Sequence, residues 1–321
     1  MDVKNHSRRS PVTRRLYIRN RNMQEPMISV LMPVHNGAKF LAEAVHSILQ
    51  QQYRNFELLI VDDGSSDQTG AIATWLRLFD RRIHVLWQEK SGIVAALNNA
   101  MNHANGKYFA RMDADDIAHP LRFEMQVARM EAEPRLVACG TDFVKFGDAA
   151  QYVSTPRNDE DCKALLMIES CFAHPTVMMR AQVIKQEGLL YRADSEYVED
   201  YRLWTELARF GQFANIPRPL LHYRVHGAQV STVRIDRQRD AHVGIASEML
   251  EQHGRTVQTR KLREFLWPSV SGVEKAIPYF ISSRVLAKDI NAAAPQCNWL
   301  HMRIRRIRLR NAVKMADGQS I

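Results

Sequence analysis

Residues 56–67, FELLIVDDGSSD, contain a mostly apolar run that passes directly into acids and turn-forming residues. Such a run predicts a strand that is buried on both faces of a sheet and ends in a loop. The pattern recurs in MISVLMPVHNG (27–37) and KYFARMDADD (107–116), and residues 82–88 predict a further strand. Helical periodicity separates these segments. The alternation predicts an α/β fold with a doubly wound, Rossmann-like, mostly parallel sheet and helices on both faces.

The same patterns divide the chain into three parts. Helices are predicted at 39–51, at 68–79 behind an N-cap at Asp67, and at 91–104, 121–134 and 159–170, with a strand at 136–146. We expect residues 27–234 to form the working domain. A basic N-terminal tail (1–26) precedes it, and a helical, basic extension (235–321) follows it.

The positive charge is concentrated at the two ends of the chain. The net charge is +9, yet residues 1–26 hold seven basic residues against two acids, and residues 297–321 hold six against one. The body is therefore near neutral. Such tails are either solvated or attracted to nucleic acid or an anionic membrane surface.

Composition limits the class of protein. Hydrophobic residues make up 45% of the chain, so it can bury a sizeable core. The sequence contains no apolar run of membrane-spanning length and no signal-peptide pattern, so we expect a cytoplasmic protein. The four cysteines, Cys139, Cys162, Cys171 and Cys297, form no CxxC pair and are interpreted as reduced thiols.

Three groups of acids occur at predicted strand ends or at a helix start: Asp62-Asp63, Asp113-Ala114-Asp115-Asp116, and Glu199-Asp200. Carboxylates at the carboxyl ends of parallel strands face the ligand crevice of the sheet. Asp113 and Asp115 can place oxygens around one hard cation, Mg²⁺ or Mn²⁺, together with substrate phosphates. The alternative for this tetrapeptide is an exposed turn in which Asp116 caps a helix.

The ordered motifs resemble those of the nucleotide-sugar-dependent family 2 glycosyltransferases, whose fold is GT-A. The resemblance covers about residues 27–231 and is closest to bacterial, non-processive members that act in surface polysaccharide or lipopolysaccharide synthesis. It rests on MISVLMPVHNG, FELLIVDDGSSDQT, SGIVAALNNAMNHANGKYFARMDADDIAHPLRFEMQV, HPTVMMR, YVEDYRLW and YRVHG. A Q-x-x-R-W pattern, which processive synthases carry, is absent.

The resemblance implies a role for each group of residues. Base and ribose would be held by Pro33, Val34, His35, Asn36, Asp62 and Asp63, with Asp63 the partner of a uracil or thymine ring. Asp113, Ala114 and Asp115 would meet the diphosphate, Asp113 and Asp115 through a divalent cation. Lys90 and Arg111 would add positive charge there, and His226 is a further candidate metal ligand. Many relatives carry Arg-Asn where this chain has Leu97-Asn98, which leaves contacts there open.

The resemblance also implies the reaction. Asp200, with Glu199 beside it, would be the general base that takes the proton of an acceptor hydroxyl during inverting transfer. The donor would be a nucleoside-diphosphate sugar, UDP-linked, and the acceptor a saccharide or lipid-linked saccharide. The alternative for these two acids is a helix first turn that favours negative charge. His174 is expected to shape the acceptor pocket or to pack beside Pro175.

Two other functions compete with sugar transfer. One is nucleotidyl transfer, although the Gly-rich phosphate loop usual in that class is absent. The other is a degenerate, non-catalytic domain that binds through its basic tails, which the intact acids argue against. No nucleic-acid partner is expected. WLHMRIRRIRLRNAVKM (299–315) is instead expected to hold the protein at the inner face of the cell membrane by electrostatics.

Overall fold

The computed structural model describes residues 27–227, 235–268 and 283–292, together with positions 294, 304 and 307. The N-terminal tail, Cys297 and most of the basic C-terminal segment lie outside the described residues, as does the loop 228–234. The predicted boundaries of the tail, domain and extension stay predictions.

One sheet forms the centre of the described chain. Its strands are β1 (Ile28–Val34), β2 (Phe56–Asp63), β3 (Ile83–Gln88), β4 (Tyr108–Arg111), β5 (Ile117–Ala118), β6 (Leu136–Gly147), β7 (Gln151–Val153), β8 (Met178–Arg180) and β9 (Gln212–Val225). The order is β3-β2-β1-β4-β8-β6-β9-β5, and β7 pairs with β6. The longer registers, β3 to β2, β2 to β1, β1 to β4 and β6 to β9, are parallel. The predicted α/β, mostly parallel sheet is confirmed.

Helices connect these strands. They are α1 (Leu41–Leu49), α2 (Thr69–Phe79), α3 (Ile93–His103), α4 (Arg122–Ala132), α5 (Asp159–Leu165), α6 (Ala181–Gln186), α7 (Glu199–Leu207), α8 (Ile235–Gln252) and α9 (Thr259–Leu266); residues 283–292 are also helical. Among the described residues, no helix combines the length and apolarity needed to cross a bilayer.

The central strands are buried on both faces, as their apolar runs predict. Alternate residues of β1 point to opposite faces, so that Val30 belongs to one hydrophobic cluster and Leu31 to the other. Two buried polar side chains of β1 and β2 are paired with each other, because Ser29 Oγ donates to Glu57 Oε1 at 2.6 Å. Because both faces of the sheet are apolar, helices must cover each of them, which is the observed arrangement.

The helical extension shares a hydrophobic core with the domain. Trp204 of α7 lies in one cluster with Leu250 of α8 and Leu262 of α9. Ile304 and Ile307, from the basic C-terminal segment, are 2% and 4% exposed and belong to the same cluster. Parts of this segment are thus integral to the core.

Three local predictions need correction. The helix predicted at 159–170 ends at Leu165, because the next residues form tight turns such as Met167 N to Ala164 O. Asp67 does not occupy the N-cap of α2; Gln68 does, although Asp67 Oδ1 accepts from Thr69 N at 2.9 Å. Asp116 caps no helix, since it is fully buried and precedes β5.

The cysteine prediction holds for the described positions. Cys139, Cys162 and Cys171 are buried free thiols. Burial raises the pKa of Cys139 to about 12, so this thiol stays protonated and unreactive.

Candidate active site

The predicted nucleotide loops pack against each other at the carboxyl edge of the sheet. Asn36, which follows β1, has φ 51°, a left-handed conformation that asparagine tolerates. Its backbone N–H donates to Ser65 Oγ at 2.9 Å, and its Oδ1 accepts from Ser66 N at 2.9 Å. His35 Nδ1 lies 2.9 Å from Asp63 O. Pro33 pairs with Val61, and Val34 with Asp62, in the β1–β2 register, so these residues share one edge of the crevice.

The Asp63 carboxylate holds the start of α3. It accepts hydrogen bonds from Gln88 Nε2 at 2.7 Å, from Ser91 N at 2.8 Å and from Gly92 N at 2.9 Å. Asp62 has a lighter load, since its Oδ1 accepts from Ser65 N at 3.0 Å. A carboxylate has about four acceptor positions, so Asp63 keeps little capacity for a base or ribose. Its local role is therefore to fix the loop between β3 and α3.

Three acids converge after β4. Asp113, Asp115 and Asp116 each offer a carboxylate oxygen, and these atoms lie within 4.8 Å of one another. Asp113 and Asp115 are partly exposed, whereas Asp116 is fully buried and its Oδ2 has no hydrogen-bond partner. Because an unpaired buried carboxylate oxygen is costly, the cluster has the chemistry of a site for a hard cation.

Arg111 lies beneath the cluster and pairs with Asp113. Its side chain is 2% exposed, and its Nε has no hydrogen-bond partner. Burial disfavours the charged guanidinium, but the Asp113 carboxylate outweighs burial and raises the pKa of Arg111. The cluster therefore has a permanent positive charge directly behind it.

Burial and repulsion between the acids disfavour the ionised forms of Asp113 and Asp116. Burial raises the pKa of Asp113, although the Arg111 guanidinium opposes this shift. Burial, followed by repulsion from Asp113 and Asp115, raises the pKa of Asp116 well above its usual value. Opposite charge brought to the crevice side would reverse both shifts.

The structure brings His226 to this cluster, as the resemblance implies. Its Nε2 lies 3.0 Å from Asp115 Oδ2, and its ring centroid lies 5.2 Å from that of Phe40. His226 directly follows β9, whose pairing with β5 places Ile117 opposite His222. The pairing of β5, the short strand after the acids, with β9 therefore fixes the position of His226.

Glu199 and Asp200 begin α7 and interact electrostatically with the residues of the acid cluster. Both carboxylates are close enough to Arg111 and Asp113 for these charges to affect their pKa values. Burial, followed by repulsion from Asp200, raises the pKa of Glu199 to about 7. Burial also raises the pKa of Asp200. Glu199 is 6% exposed, and its Oε2 has no hydrogen-bond partner.

Glu199→Gln is expected to change how stability depends on pH. The raised pKa means that the folded protein binds this proton more tightly than the unfolded chain, so wild type loses stability as pH rises from about 4.5 to about 7. Glutamine is neutral throughout. The melting temperature of the variant minus that of wild type should therefore increase across this range and level off above it.

Differential scanning fluorimetry in EDTA from pH 4.5 to 8 measures this difference. The control is Glu206→Gln. Glu206 is on the same helix as Glu199 and pairs with Arg192. A flat difference for Glu199→Gln would contradict the raised pKa.

Two residues near the predicted phosphate site, Lys90 and Asn98, have local structural surroundings of their own. Lys90 is exposed, and its backbone packs so closely on Gly64, at φ 66°, that a Cβ there would meet Lys90 N at 2.7 Å. Asn98 is engaged with the chain itself, because its Nδ2 donates to Tyr191 O at 2.8 Å and its Oδ1 accepts from Tyr191 N at 3.0 Å. Its local role is to fix the segment that leads to α7.

His174, which is expected from the sequence to shape the acceptor pocket or to pack beside Pro175, is part-buried with its Nε2 2.9 Å from Tyr191 Oη, and burial, with the Arg111 charge, lowers its pKa well below the usual value. Two arginines around the site, Arg122 and Arg224, are not predicted from the sequence. Arg122, at the start of α4, donates from Nη2 to Arg111 O at 2.7 Å, and burial lowers its pKa to about 9. Arg224 contacts both Asp115 and Asp116. Only Asp116 was visible as a neighbour of the D-x-D pair.

Comparison with known proteins places the chain in a family. Residues 29–189 match the family described as Glycosyl transferase family 2. An uncharacterized glycosyltransferase of Haemophilus influenzae is 32% identical over 228 residues, which cover 67% of this chain and 70% of the relative. The O-antigen biosynthesis glycosyltransferase WbnJ of Escherichia coli is 33% identical over 62% of this chain and 80% of its own length.

Solved structures share the fold. TarS 1–349 of S. aureus in complex with UDP-GlcNAc has a TM-score of 0.59 at 15% identity, covering 90% of this chain and 89% of that one. The mannosyltransferase PcManGT from Pyrobaculum calidifontis, in complex with GDP-Man and Mn²⁺, has a TM-score of 0.54 at 17% identity, covering 91% and 87%. The sheet order, the acid cluster after β4 and these matches agree: the chain is a GT-A-fold glycosyltransferase and belongs to glycosyltransferase family 2.

Proposed function

We propose that this glycosyltransferase moves one sugar from a UDP-linked donor to a hydroxyl of a saccharide or lipid-linked saccharide, with inversion, in cell-surface polysaccharide biosynthesis. One observation carries the proposal: buried Arg111 pairs with Asp113 of the acid cluster and interacts electrostatically with Glu199 and Asp200. A candidate cation site and a candidate base would thus share one crevice. That arrangement suits displacement of a nucleoside diphosphate by a deprotonated hydroxyl.

The donor would lie along the carboxyl edge of β1, β2 and β4. The loop Pro33–Asn36 and Asp62 would contact base and ribose, because Asp62 has acceptor capacity that Asp63 uses on the chain itself. Arg111 would add charge behind the diphosphate. We choose UDP as the proposed nucleotide because the TarS structure was solved with UDP-GlcNAc.

A divalent cation fits the acid cluster. The unpartnered Asp116 Oδ2 and the closeness of Asp113, Asp115 and Asp116 are an arrangement that a cation would stabilise. Asp115 and Asp113 would hold the ion, with His226 as a further ligand. Mn²⁺ in the PcManGT complex supports this choice of metal, and Mg²⁺ has the same oxygen preference. When bound, such an ion would stabilise the negative charge of the leaving nucleoside diphosphate.

Asp200 is the proposed general base. Its raised pKa brings it closer to the pH at which proton transfer is efficient, and its place at the start of α7 gives it a fixed backbone. Glu199 would keep the crevice polar and share the charge of the pair. A single displacement by the acceptor hydroxyl inverts the anomeric configuration and needs no covalent intermediate.

The acceptor follows from the relatives rather than from the crevice. WbnJ is described as an O-antigen biosynthesis enzyme, which supports a surface polysaccharide intermediate as the acceptor here. Lipid linkage would place the reaction at a membrane.

The test of this function measures which bond the enzyme breaks. Purified protein is incubated with Mn²⁺ and a panel of nucleotide sugars, and released nucleoside diphosphate is quantified. The proposal expects slow release of UDP from at least one UDP-sugar. A parallel incubation supplies UTP and a sugar 1-phosphate, from which a nucleotidyltransferase would release pyrophosphate. Pyrophosphate in this second incubation, with no UDP released from any UDP-sugar in the first, would overturn the proposal in favour of that alternative.

We also propose that the basic C-terminal segment tethers the enzyme to anionic lipid at the inner face of the cell membrane. Each basic residue near such a surface contributes about 1 kcal/mol. Ile304 and Ile307 are buried, so deleting residues 299–321 would remove core side chains as well as charge. Charge neutralisation is therefore the sharper variant.

Replacing the five arginines with glutamine is expected to abolish co-sedimentation with anionic vesicles while leaving UDP-sugar hydrolysis intact. The changed positions are Arg303, Arg305, Arg306, Arg308 and Arg310. Raised salt should release the wild-type protein, because screening weakens surface electrostatics. Salt-insensitive sedimentation, or none with the wild type, would contradict the tether.

A further inference from the structure

Arg224 joins several parts of the site. It lies near the end of β9, and its guanidinium carbon lies 4.3 Å from the ring centroid of Phe40 and 4.5 Å from that of Phe146. Its side chain is 14% exposed. A guanidinium that contacts two aromatic rings is restricted in orientation, so its donors point in fixed directions.

Two donors of Arg224 hold the acid loop. Its backbone N–H donates to Asp116 Oδ1 at 2.8 Å, and its Nε donates to Asp115 O at 2.7 Å. The side chain of Asp115 is held separately, by His226 Nε2 at 3.0 Å, only two residues after Arg224. One short segment of chain therefore sets the position of two consecutive acids.

Another donor reaches the nucleotide side of the crevice. Arg224 Nη2 donates to Glu43 Oε2 of α1 at 2.5 Å. Phe40, one of the two rings beside the guanidinium, precedes α1 and follows the loop that contains Asn36. Phe40 is also in contact with the His226 ring. The arginine thus connects the start of α1 with the acid loop across the crevice.

We infer that Arg224 is a positioning residue that holds the acids of the cation site in register with the nucleotide loop, so that metal and nucleoside diphosphate bind cooperatively. This rests on the proposed cation and nucleotide sites. Arg224 itself is not proposed to contact the metal ion or the nucleoside diphosphate. Its side chain acts through Asp115 and α1, while its backbone N–H holds Asp116. Cooperativity arises because each ligand stabilises the same arrangement of these elements.

The test compares Arg224→Met with wild type and with Arg218→Met. Arg218 is an exposed arginine on the same strand, and its Nη1 contacts Met125 Sδ at 3.6 Å. Free Mn²⁺ is counted by electron paramagnetic resonance during titration of the protein, without any sugar donor. UDP affinity is measured by calorimetry in Mn²⁺ and in EDTA. Circular dichroism and melting temperature in EDTA report folding.

Arg224→Met is expected to weaken Mn²⁺ binding by about 10- to 100-fold, the range seen when residues that orient metal ligands are removed. The factor by which Mn²⁺ strengthens UDP binding should fall as well, because this coupling is reciprocal. Arg218→Met should match wild type in both. A residue that supported only the fold would change the melting temperature and leave this coupling factor intact.

Unchanged Mn²⁺ affinity and coupling in a folded Arg224→Met protein would overturn the inference. If that variant does not fold, Arg224→Lys decides, since a lysine keeps the charge but cannot bond Asp115 O and Glu43 together while stacking between two rings. Wild-type coupling in Arg224→Lys would overturn the inference. Failure of wild type itself to bind Mn²⁺ would instead refute the proposed cation site, so the two failures are distinguishable.

Discussion

Asp115→Ala is expected to abolish the dependence of UDP binding on Mn²⁺ and to remove nearly all turnover. Asp115 contributes a carboxylate oxygen to the acid cluster and is the acid that His226 contacts. Its removal leaves Asp113, which is already paired with Arg111, and the buried Asp116. Asp113 alone, with its charge already paired, would hold a cation more weakly than Asp113 and Asp115 together. Calorimetric titration of UDP with Mn²⁺ and with EDTA measures the effect.

The fold is expected to survive this change. Three carboxylates repel one another in EDTA, so removing one should leave the melting temperature at or above that of wild type. Asp289→Ala, which removes an exposed acid from the helix at 283–292, controls for the loss of charge alone. Wild-type UDP affinity in the Asp115→Ala protein with Mn²⁺ would remove Asp115 from the cation site.

Asp200→Asn is expected to lower kcat by roughly 10²-fold or more while leaving donor affinity near wild type. Asparagine keeps the size and polarity of the side chain but cannot accept the proton of the acceptor hydroxyl. The initial rate of UDP release and the UDP dissociation constant are measured on the same preparation. The expected pattern is a loss confined to kcat.

Glu206→Gln, on the same helix, is the matched control and should behave as wild type in both measurements, because Glu206 pairs with Arg192 away from the crevice. Equal losses in donor binding and in kcat for Asp200→Asn would mean that Asp200 binds substrate or supports the fold. The general-base assignment would then fail.

The sequence predicts the parts of this site that lie close together along the chain. The Asp113 and Asp115 pair is recognisable because both residues come shortly after a predicted strand, observed as β4 (Tyr108–Arg111). The crevice is predicted as well, because parallel strands align their carboxyl ends at one edge. The fold class follows from the same runs, since β1 and β2 are buried along their whole length.

The remaining features depend on contacts between distant segments. Arg224 lies 108 residues from Asp116, and no local pattern indicates that its backbone donates to that carboxylate. The engagement of Asn98 with Tyr191 spans 93 residues and gives a structural role to a residue whose contacts the sequence left open. Likewise, Asp63 is recognised as an acid at a strand end, but its three donors come from the last residue of β3 and from the loop before α3.

The anomeric configuration of the first sugar released tests the central claim most directly. Slow hydrolysis uses water as the acceptor, so no knowledge of the natural acceptor is needed. A UDP-α-linked sugar is incubated with enzyme and Mn²⁺, and ¹H NMR follows the free sugar before its anomers equilibrate. We expect the β anomer to form first, because water attacks from the face opposite UDP in a single displacement. Initial release of the α anomer would contradict it.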